Sequence, residues 1–347
     1  MTKVYIDGSE GTTGLRINER FKGRDDIEIL TIPSELRKDV NERRKYINES
    51  DITFLCLPDA AAIEAVSLVE NENVTIIDAS TAHRTSPGWA YGFPELSEEF
   101  RENIRNSKRI ANPGCYASGF ISLAYPLVKM GIIGPDFPIS AFALSGYSGA
   151  GKKTIAIYES DEKTVEMNAP REYALTQKHK HLKEMKAITG LSREPLFTPI
   201  VDDYYSGMIV NIPLYVDMIG MKPEELQKVF ADFYKGEKFI NVKPFDAQTE
   251  ELNGFMAANS CSGWDGMEIY ICGNDDRILL SSRFDNLGKG ASGAAIQCMN
   301  IVLGCDEASR QGLIVSNVEK LILKNVNIEG CDGEAIVADN VDKIERD

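Results

Sequence analysis

The sequence lacks the cysteine spacing of a disulfide framework or a zinc site. Its seven cysteines are an odd number, and no two of them form a CxxC pair. No apolar run reaches the roughly 20 residues that a membrane-spanning helix needs. Residues 1–30 contain no basic segment followed by the apolar core of a secretion signal. These absences predict a cytoplasmic protein with reduced thiols and no membrane partner.

Basic residues are also scarce. The 38 Lys and Arg residues face 53 Asp and Glu residues, which gives a net charge of −15. This balance disfavours a general affinity for nucleic acid or anionic membranes, so an anionic small substrate requires a local positive site. The chain has 347 residues and is 43% hydrophobic, which is enough for two sizeable cores.

The first third of the chain alternates strand and helix patterns, which is typical of a doubly wound α/β domain. The strand-like runs are 3–7, 27–32, 52–57, 74–78 and 109–111. The first run leads into DGSEGTTGLRI, in which Gly8, Gly11 and Gly14 follow the pattern GxxGxxG. Glycines at such a turn let backbone N–H groups approach a pyrophosphate at a helix N-terminus. The pattern favours a Rossmann-type dinucleotide site over a bare turn.

The end of the second strand pattern bears on the choice of dinucleotide. An acidic residue there would accept the ribose 2′-OH of NAD. The segment offers Ser34, Arg37 and Lys38 instead, with Glu35 as its one acid before Asp39. We therefore expect NADP, although the two cations also fit a solvated helix face.

The pattern changes after residue 139, where strand-like runs follow one another with few helices between them. These runs are 139–145, 196–201, 208–216, 239–242, 267–272 and 278–284. They predict a second, largely antiparallel α+β domain. A final helix over 290–303 is rich in small residues and is expected to pack back on the first domain. The expected units are 1–114 with 287–304, then 115–286, then a tail of 305–347.

Cys115 stands in ANPGCYAS, between the last strand of the first domain and a helical run. A thiol at a helix N-terminus is expected to lose its proton more easily, and this one should face the interdomain crevice. His179 and His181, two of only three histidines, offer a base in QKHKHLKEM. Metal ligation is the alternative for this pair, but no further ligand cluster lies beside it, so we predict no metal.

A glycine-rich loop, LSGYSGAGKKT, follows residue 143. It departs from the ATP-binding pattern GxxxxGK[ST] because Lys153 stands where a hydroxyl should be. Ser145, Ser148 and Lys152 are instead expected to hold a phosphate, a carboxylate or the nicotinamide end of a cofactor. A flexible, lysine-bearing loop is the alternative.

A cysteine nucleophile, a histidine base, a nicotinamide cofactor and an anion loop together indicate a reaction class. The thiolate attacks an acyl phosphate, phosphate leaves, and hydride from NADPH reduces the thioester to an aldehyde. A cysteine–histidine pair of this kind predicts a rate that depends on an ionisation near neutrality.

These segments resemble the N-acetyl-γ-glutamyl-phosphate reductases of arginine biosynthesis, in their shorter second type. The resemblance covers residues 1 to about 304 in family order and rests on GSEGTTGL, FLCLPDAAA, DASTAHR, YGFPEL, ANPGCY, SGYSGAGK, KHKHLKEM, GMIVNIPL and DNLGKGASGAA. It implies a semialdehyde dehydrogenase type of fold, a homodimer or homotetramer, and a small acyl-phosphate substrate. It also implies that Cys115 forms the thioester, with His179 favoured as base and His181 facing the substrate.

The resemblance further implies two sets of binding residues. The expected NADP-binding set is Gly8, Glu10, Gly11, Thr12, Thr13, Gly14, Ser34, Arg37, Leu57, Pro58, Ser80, Ser148, Gly149 and Asn286. The expected substrate-binding set is Arg84, Asn112, Ser145, Gly146 and Lys152.

The sequence departs from the family pattern at two places. His83 stands where we expect Phe, and Ala117-Ser118 replaces Pro-Thr. Three alternatives stay open at this stage. They are an aspartate-semialdehyde dehydrogenase, a carrier-linked acyl-phosphate reductase of lysine biosynthesis, and a redox-sensing or scaffold protein that has kept the fold.

The last 43 residues fall outside the resemblance. Asn-Val recurs at 317, 325 and 340 among short β-rich triplets. This pattern predicts one or two coils of a parallel β-solenoid without chemistry of its own, too few to bury a core alone.

Overall fold

A computed structural model of the chain describes residues 1–247, 252–305, 313–323 and 336–346. Within these ranges the first sheet consists of β1 (Thr2–Asp7), β2 (Ile27–Leu30), β3 (Ile52–Leu55), β4 (Thr75–Asp78), β5 (Ala90–Tyr91) and β6 (Arg109–Ala111). Their order is β2-β1-β3-β4-β6-β5, and every pair is parallel. The doubly wound sheet expected from the sequence is confirmed. The two-residue strand β5 was not predicted, because so short a run carries no periodicity.

Four helices follow strands of this sheet. They are α1 (Thr12–Arg20), α2 (Val40–Glu49), α3 (Asp59–Ser67) and α4 (Glu98–Asn106). The strands β3 and β4 are buried at every residue, because helices cover both faces of the sheet. The carboxyl ends of the strands therefore form one edge, where ligands bind in folds of this class.

The second sheet is mixed. Within the described ranges its strands are β7 (Ser140–Gly146), β8 (Arg171–Glu172), β9 (Leu196–Asp202), β10 (Met208–Tyr215), β11 (Ile240–Val242), β12 (Met267–Gly273) and β13 (Arg277–Phe284). They lie in the order β11-β12-β13-β10-β7-β9-β8. The β11–β12 and β7–β9 pairs are parallel and the others antiparallel. A largely antiparallel second domain was therefore a correct prediction.

Within the described ranges the α-helices of the second half are α5 (Cys115–Lys129), α6 (Lys152–Tyr158), α7 (Leu182–Thr189), α8 (Val216–Ile219), α9 (Pro223–Phe233) and α10 (Gly293–Leu303). The helix α5 starts four residues after β6, is buried along most of its length, and packs on β10, β13 and α7. It is apolar on all sides because it lies inside the second core. This arrangement puts Cys115 at the ligand-binding edge of the first sheet.

The chain then returns to the first core. Ala295, Ile296 and Met299 of α10 lie in one buried cluster with Val4 and Phe54. A single turn of π-helix, Gly288–Ser292, replaces the start predicted for this helix at residue 290. The small residues of α10 allow the helix to pack closely on this first core.

In the tail, β14 (Leu313–Leu323) pairs in parallel with β15 (Ile336–Arg346). The short β-rich extension is confirmed. The Asn-Val pair at 325 lies outside the described residues, so the number of coils stays a prediction. Within the described ranges, no helix combines the length and the apolar character needed to cross a membrane.

Candidate active site

The chain around Cys115 is crowded by two side chains of the predicted site. A Cβ atom on Gly114 would lie 2.4 Å from Nη1 of Arg84 and 2.6 Å from Nε2 of His181. Any residue but glycine would displace these groups. On another side, a Cβ on Gly290 would lie 2.9 Å from the Cβ of Cys115. The structure thus brings Arg84 and His181 to the residue that precedes the thiol.

A buried carboxylate, Glu184, organises this corner. Its Oε1 accepts hydrogen bonds from the hydroxyl of Tyr91 at 2.7 Å and from the N–H of Gly114 at 2.9 Å. Its Oε2 accepts from Nη1 of Arg84 at 3.0 Å. Glu184 lies in the first turn of α7, three residues after His181. Its bonds therefore fix the start of that helix, and with it the position of the His181 ring.

Each guanidinium nitrogen of Arg84 donates to an acceptor within the protein. Besides the bond to Glu184, its Nε donates to the carbonyl of Asn112 at 2.9 Å and its Nη2 to the carbonyl of Ala79 at 3.0 Å. The side chain of Asn112 donates to the carbonyl of Ala291, and its buried Oδ1 has no partner within the described residues. Asn112 therefore keeps an acceptor available, whereas Arg84 is held in place as a structural cation.

The two histidines lie against each other, with ring centroids 4.7 Å apart. The ring of His179 also contacts Tyr116, Tyr173 and Phe197, at 5.6, 5.8 and 5.4 Å between centroids. Its Nδ1 accepts the backbone N–H of His181 at 3.2 Å. In a neutral imidazole that acceptor places the proton on Nε2, so His179 offers a donor there. The buried Nδ1 of His181 has no partner within the described residues.

Burial sets the protonation states of Cys115, His179 and His181. It raises the pKa of the Cys115 thiol above its ordinary value of 9.0, against the opposing effects of the Tyr116 N–H and of the charges on Arg84 and Lys180. Burial lowers the pKa of His179 to about 4 and that of His181 well below 6.5. The expectation of an acidified thiol is therefore wrong for the free protein: desolvation outweighs the helix terminus. Both imidazoles are therefore neutral at pH 7.

The glycine loop of the first domain has the shape that a pyrophosphate requires. Gly8 has φ +87°, and a Cβ on it would lie 2.3 Å from the carbonyl oxygen of Cys56. Gly11 caps α1 without a side-chain hydrogen bond, so the first-turn N–H groups of Thr12 and Thr13 have no capping side chain. A Cβ on Gly14 would lie 2.5 Å from the carbonyl oxygen of Gly8. These features fit a dinucleotide.

The segment after β2 lies against this loop. Arg37 forms an exposed ion pair with Glu10, and Ser34 lies in the same turn. Glu10 and Arg37, two members of the expected cofactor-binding set that follow different strands, are thus brought together. Leu57 and Pro58 follow β3, and Pro58 caps α3.

Ser80, at the end of β4, is held by a buried carboxylate. Its N–H and its hydroxyl donate to Asp78 at 2.9 and 2.7 Å. His83, one of the departures from the family pattern, lies with its Nδ1 2.6 Å from Asp78 and stacks on Trp89 at 4.1 Å between centroids. The imidazole therefore keeps the ring contact available to Phe and adds a hydrogen bond to the carboxylate that holds Ser80.

The residues expected to bind the nicotinamide end of the cofactor also lie together. Nδ2 of Asn286 donates to the hydroxyl of Ser148 at 2.9 Å, and its Oδ1 accepts the N–H of Gly207 at 2.8 Å. A Cβ on Gly149 would lie 3.1 Å from Nδ2 of Asn286. The hydroxyl of Ser145 donates to the carbonyl of Gly146, the last residue of β7. These residues surround one loop, as the sequence suggested.

A cavity of about 520 Å³ opens beside the histidines. Most of its lining comes from the turn after β4 and from the segment that leads into α7. The lining residues are Asp59, Thr81, Arg84, Thr85, Gln177, Lys178, His179, Lys180, Leu182, Lys183, Glu184 and Glu194. Of the expected substrate residues it takes in Arg84. Lys152 lies elsewhere, exposed at the start of α6. The described residues contain no group of three or more metal-ligating side chains.

Sequence reasoning missed Glu184, Tyr91 and Lys180. Glu184 carried a usable signal, because a residue three after His181 lies on the same face of a helix. Tyr91 carried none, since its bond to Glu184 spans 93 positions.

Comparison with known proteins gives a consistent family. Residues 1–106 match the model of the semialdehyde dehydrogenase NAD binding domain, and residues 115–286 match that of the semialdehyde dehydrogenase dimerisation domain. The chain is 46% identical to N-acetyl-gamma-glutamyl-phosphate reductase 2 of Nostoc sp. over 314 residues, which cover 88% of this chain and 98% of the relative. It is 42% identical over 309 residues to the protein of the same name from Pseudomonas putida, with 88% and 98% covered.

Solved structures agree on the fold. Aspartate semialdehyde dehydrogenase II of Vibrio cholerae superposes with a TM-score of 0.63 at 14% identity, over 88% of this chain and 98% of the other. The aspartate semialdehyde dehydrogenase of Candida albicans, solved with NADP, gives 0.56 at 13% identity, over 89% and 100%. At such identities the likeness shows the fold alone.

Proposed function

The chain belongs to the N-acetyl-γ-glutamyl-phosphate reductase family of semialdehyde dehydrogenases, and on that premise we propose that it reduces N-acetyl-γ-glutamyl phosphate to N-acetyl-L-glutamate 5-semialdehyde. The proposal includes NADPH as reductant, release of phosphate, and a thioester on Cys115. The observation that carries it is the packing of His181 and Arg84 against Gly114, the residue directly before the Cys115 thiol.

In the proposed reaction, His181 accepts the proton of the Cys115 thiol, and the thiolate attacks the acyl carbon. The new C–S bond forms, and the bond between the acyl carbon and the bridging oxygen of the phosphate breaks. Phosphate leaves with that electron pair. NADPH, when bound, supplies the hydride that reduces the thioester to the aldehyde and frees the thiolate. We assign the base role to His181 and a donor role to His179, the reverse of the order favoured from sequence. The support is that Nδ1 of His179 already accepts a backbone N–H.

The residues available to the cofactor follow from the geometry above. The Gly8–Gly14 loop and the first turn of α1 would hold the pyrophosphate, and Asn286 with Ser148 would orient the nicotinamide carboxamide. The unpartnered Oδ1 of Asn112 offers an acceptor to the substrate amide. We propose residues 1–114 with 287–304 as the NADP-binding unit and 115–286 as the catalytic unit.

The direct test is the reverse reaction. The full chain is incubated with phosphate, NADP and either N-acetylglutamate semialdehyde or aspartate semialdehyde, and NADPH formation is followed by absorbance. We expect turnover with the acetylated substrate. Turnover with aspartate semialdehyde alone would replace the proposal by the aspartate-semialdehyde dehydrogenase alternative.

Cofactor preference gives a second test. Because Arg37 lies at the glycine loop and no acid ends β2, NADPH should be used more efficiently than NADH. Losing a charge-assisted bond to the 2′-phosphate should reduce kcat/KM for NADPH about 10- to 100-fold in Arg37→Asp, with little effect on NADH. Lys129→Asp, which makes a similar charge change at an exposed residue at the end of α5, is the control. Equal use of both cofactors by the unaltered protein would contradict the NADP assignment.

Oligomerisation is supported by the match to a dimerisation domain. The apolar residues of β10 and β13 do not themselves require a second copy to cover them, because both strands are largely buried within one chain. Exposed apolar side chains lie elsewhere in the second half, with Val165, Leu175 and Leu196 exposed by 76%, 75% and 67%. We propose a homodimer or a homotetramer.

Light scattering on the full chain and on a version ending at Gly304 tests this. Both should be oligomeric, because the matched domain ends before the tail. A monomeric full chain at micromolar concentration would exclude the proposed assembly.

A further inference from the structure

Three exposed lysines, Lys178, Lys180 and Lys183, line the cavity at the mouth of the active site, and Lys180 is the one that acts on the thiol and on both histidines. Lys180 stands between the two histidines, is exposed, and lines the cavity together with Arg84 and His179. Within the described residues it forms no ion pair. Its ammonium group is nevertheless close enough to act electrostatically on four groups of the site: Asp59, Cys115, His179 and His181.

The comparison with Arg84 makes this position informative. Arg84 and Lys180 are the two cations that lower the pKa of the Cys115 thiol. Every nitrogen of the Arg84 guanidinium donates to a protein acceptor, at Glu184, Asn112 or Ala79. Each Arg84 nitrogen thus already has a protein acceptor, whereas Lys180 forms no hydrogen bond or ion pair within the described residues.

The backbone of Lys180 is also well fixed. The residues on either side of it, His179 and His181, are joined by the hydrogen bond from the N–H of His181 to Nδ1 of His179. The His179 ring is enclosed by aromatic rings, and the His181 ring is buried. A lysine between two fixed residues loses little freedom beyond that of its own side chain when it binds an anion.

We propose that Lys180 binds the phosphoryl group of the substrate and stabilises phosphate as it leaves. The proposal rests on the proposed acyl-phosphate reaction and adds to it the residue that meets the leaving group. When the thiolate of Cys115 forms its bond to the acyl carbon, the C–O bond breaks and its electron pair goes to phosphate. Negative charge grows on oxygens beside the ammonium, which stays protonated throughout. In a chain with a net charge of −15, this is a local positive site of the kind that an anionic substrate requires.

The test uses the Cys115 thiol as a probe and requires no turnover. Alkylation by neutral iodoacetamide and by anionic iodoacetate is followed by mass spectrometry of the Cys115 peptide, so that the other cysteines do not interfere. The proteins are the full chain, Lys180→Gln, and Lys186→Gln, which removes an exposed lysine of α7 outside the cavity lining.

We expect the iodoacetate-to-iodoacetamide rate ratio to fall about three- to tenfold in Lys180→Gln and to stay unchanged in Lys186→Gln. Inorganic phosphate should slow the iodoacetamide reaction in the unaltered protein and in Lys186→Gln, but not in Lys180→Gln. An unchanged ratio or undiminished phosphate protection in Lys180→Gln would overturn the proposal. Protection by acetate and not by phosphate would assign the cation to a carboxylate and overturn it equally.

Failure of the two proposals can be told apart. If the enzyme does not accept the acetylated semialdehyde, the proposed function fails, while the alkylation ratios still decide whether Lys180 acts on anions beside the thiol. If turnover is as proposed, Lys180→Gln should also raise KM for phosphate in the reverse reaction by about tenfold or more. The same KM in Lys180→Gln would refute the leaving-group role with the function intact.

Discussion

Replacing Cys115 by serine should abolish acyl-phosphate reduction, with kcat falling by about 10⁴-fold or more. The hydroxyl is a much weaker nucleophile than a thiolate, and the residue lies in a crowded position between Gly114 and Gly290. The loss is measured as NADPH oxidation with N-acetyl-γ-glutamyl phosphate. Measuring kcat of the same variant in the reverse reaction gives an independent value for the loss.

Two controls make this result specific. Cys272→Ser alters a partly buried cysteine of β12 and should leave kcat nearly unchanged. Thermal unfolding of Cys115→Ser should match that of the unaltered chain, because the substitution preserves the size of the side chain. Retained activity in Cys115→Ser would contradict the thioester route and favour a redox-sensing or scaffold role.

The second large effect is expected at His181. His181→Asn removes the ring beside Gly114 and should lower kcat by about 10²- to 10⁴-fold, as expected for loss of a general base. His179→Asn should cost less, because the ring of His179 is assigned as a donor. The two variants form a matched pair, since each replaces one imidazole of the same motif. A larger loss in His179→Asn would restore the assignment made from the sequence.

The pH dependence of alkylation adds a qualitative check on the same pair. Because burial raises the pKa of the free Cys115 thiol above 9.0, its reaction with iodoacetamide should keep accelerating as the pH rises from 7 to 9. Burial also lowers the pKa of both histidines, so neither should add an inflection near neutrality in the free enzyme. A plateau below pH 8 would show a preformed thiolate–imidazolium pair, which this geometry does not favour.

The sequence best predicted the positions of residues whose structural requirements depend on their neighbours along the chain. The GxxGxxG turn needs glycine because of the backbone contacts at Gly8 and Gly14, and that need is visible in spacing alone. Cys115 was located because a strand pattern ends and a helix pattern begins around it. Asn286 and Ser148 were expected on one cofactor, and they are hydrogen-bonded to each other.

Properties that depend on distant parts of the chain could not be predicted in this way. The direction of the Cys115 pKa depends on how much of the fold covers the thiol, and a helix N-terminus seen in sequence gives only the opposing contribution. Arg84 was expected to bind substrate, because a sequence does not show that Glu184, Asn112 and Ala79 already accept its donors.

The hydrogen bonds of Glu184 also limit how substrate and cofactor can enter and leave. Tyr91 belongs to the first sheet and Glu184 to a helix of the second half, so this buried contact joins the two halves across the crevice. Swinging the halves apart would strip a buried carboxylate of its donors, at a cost of several kcal/mol. We therefore expect the two halves to stay together while substrate and cofactor are exchanged.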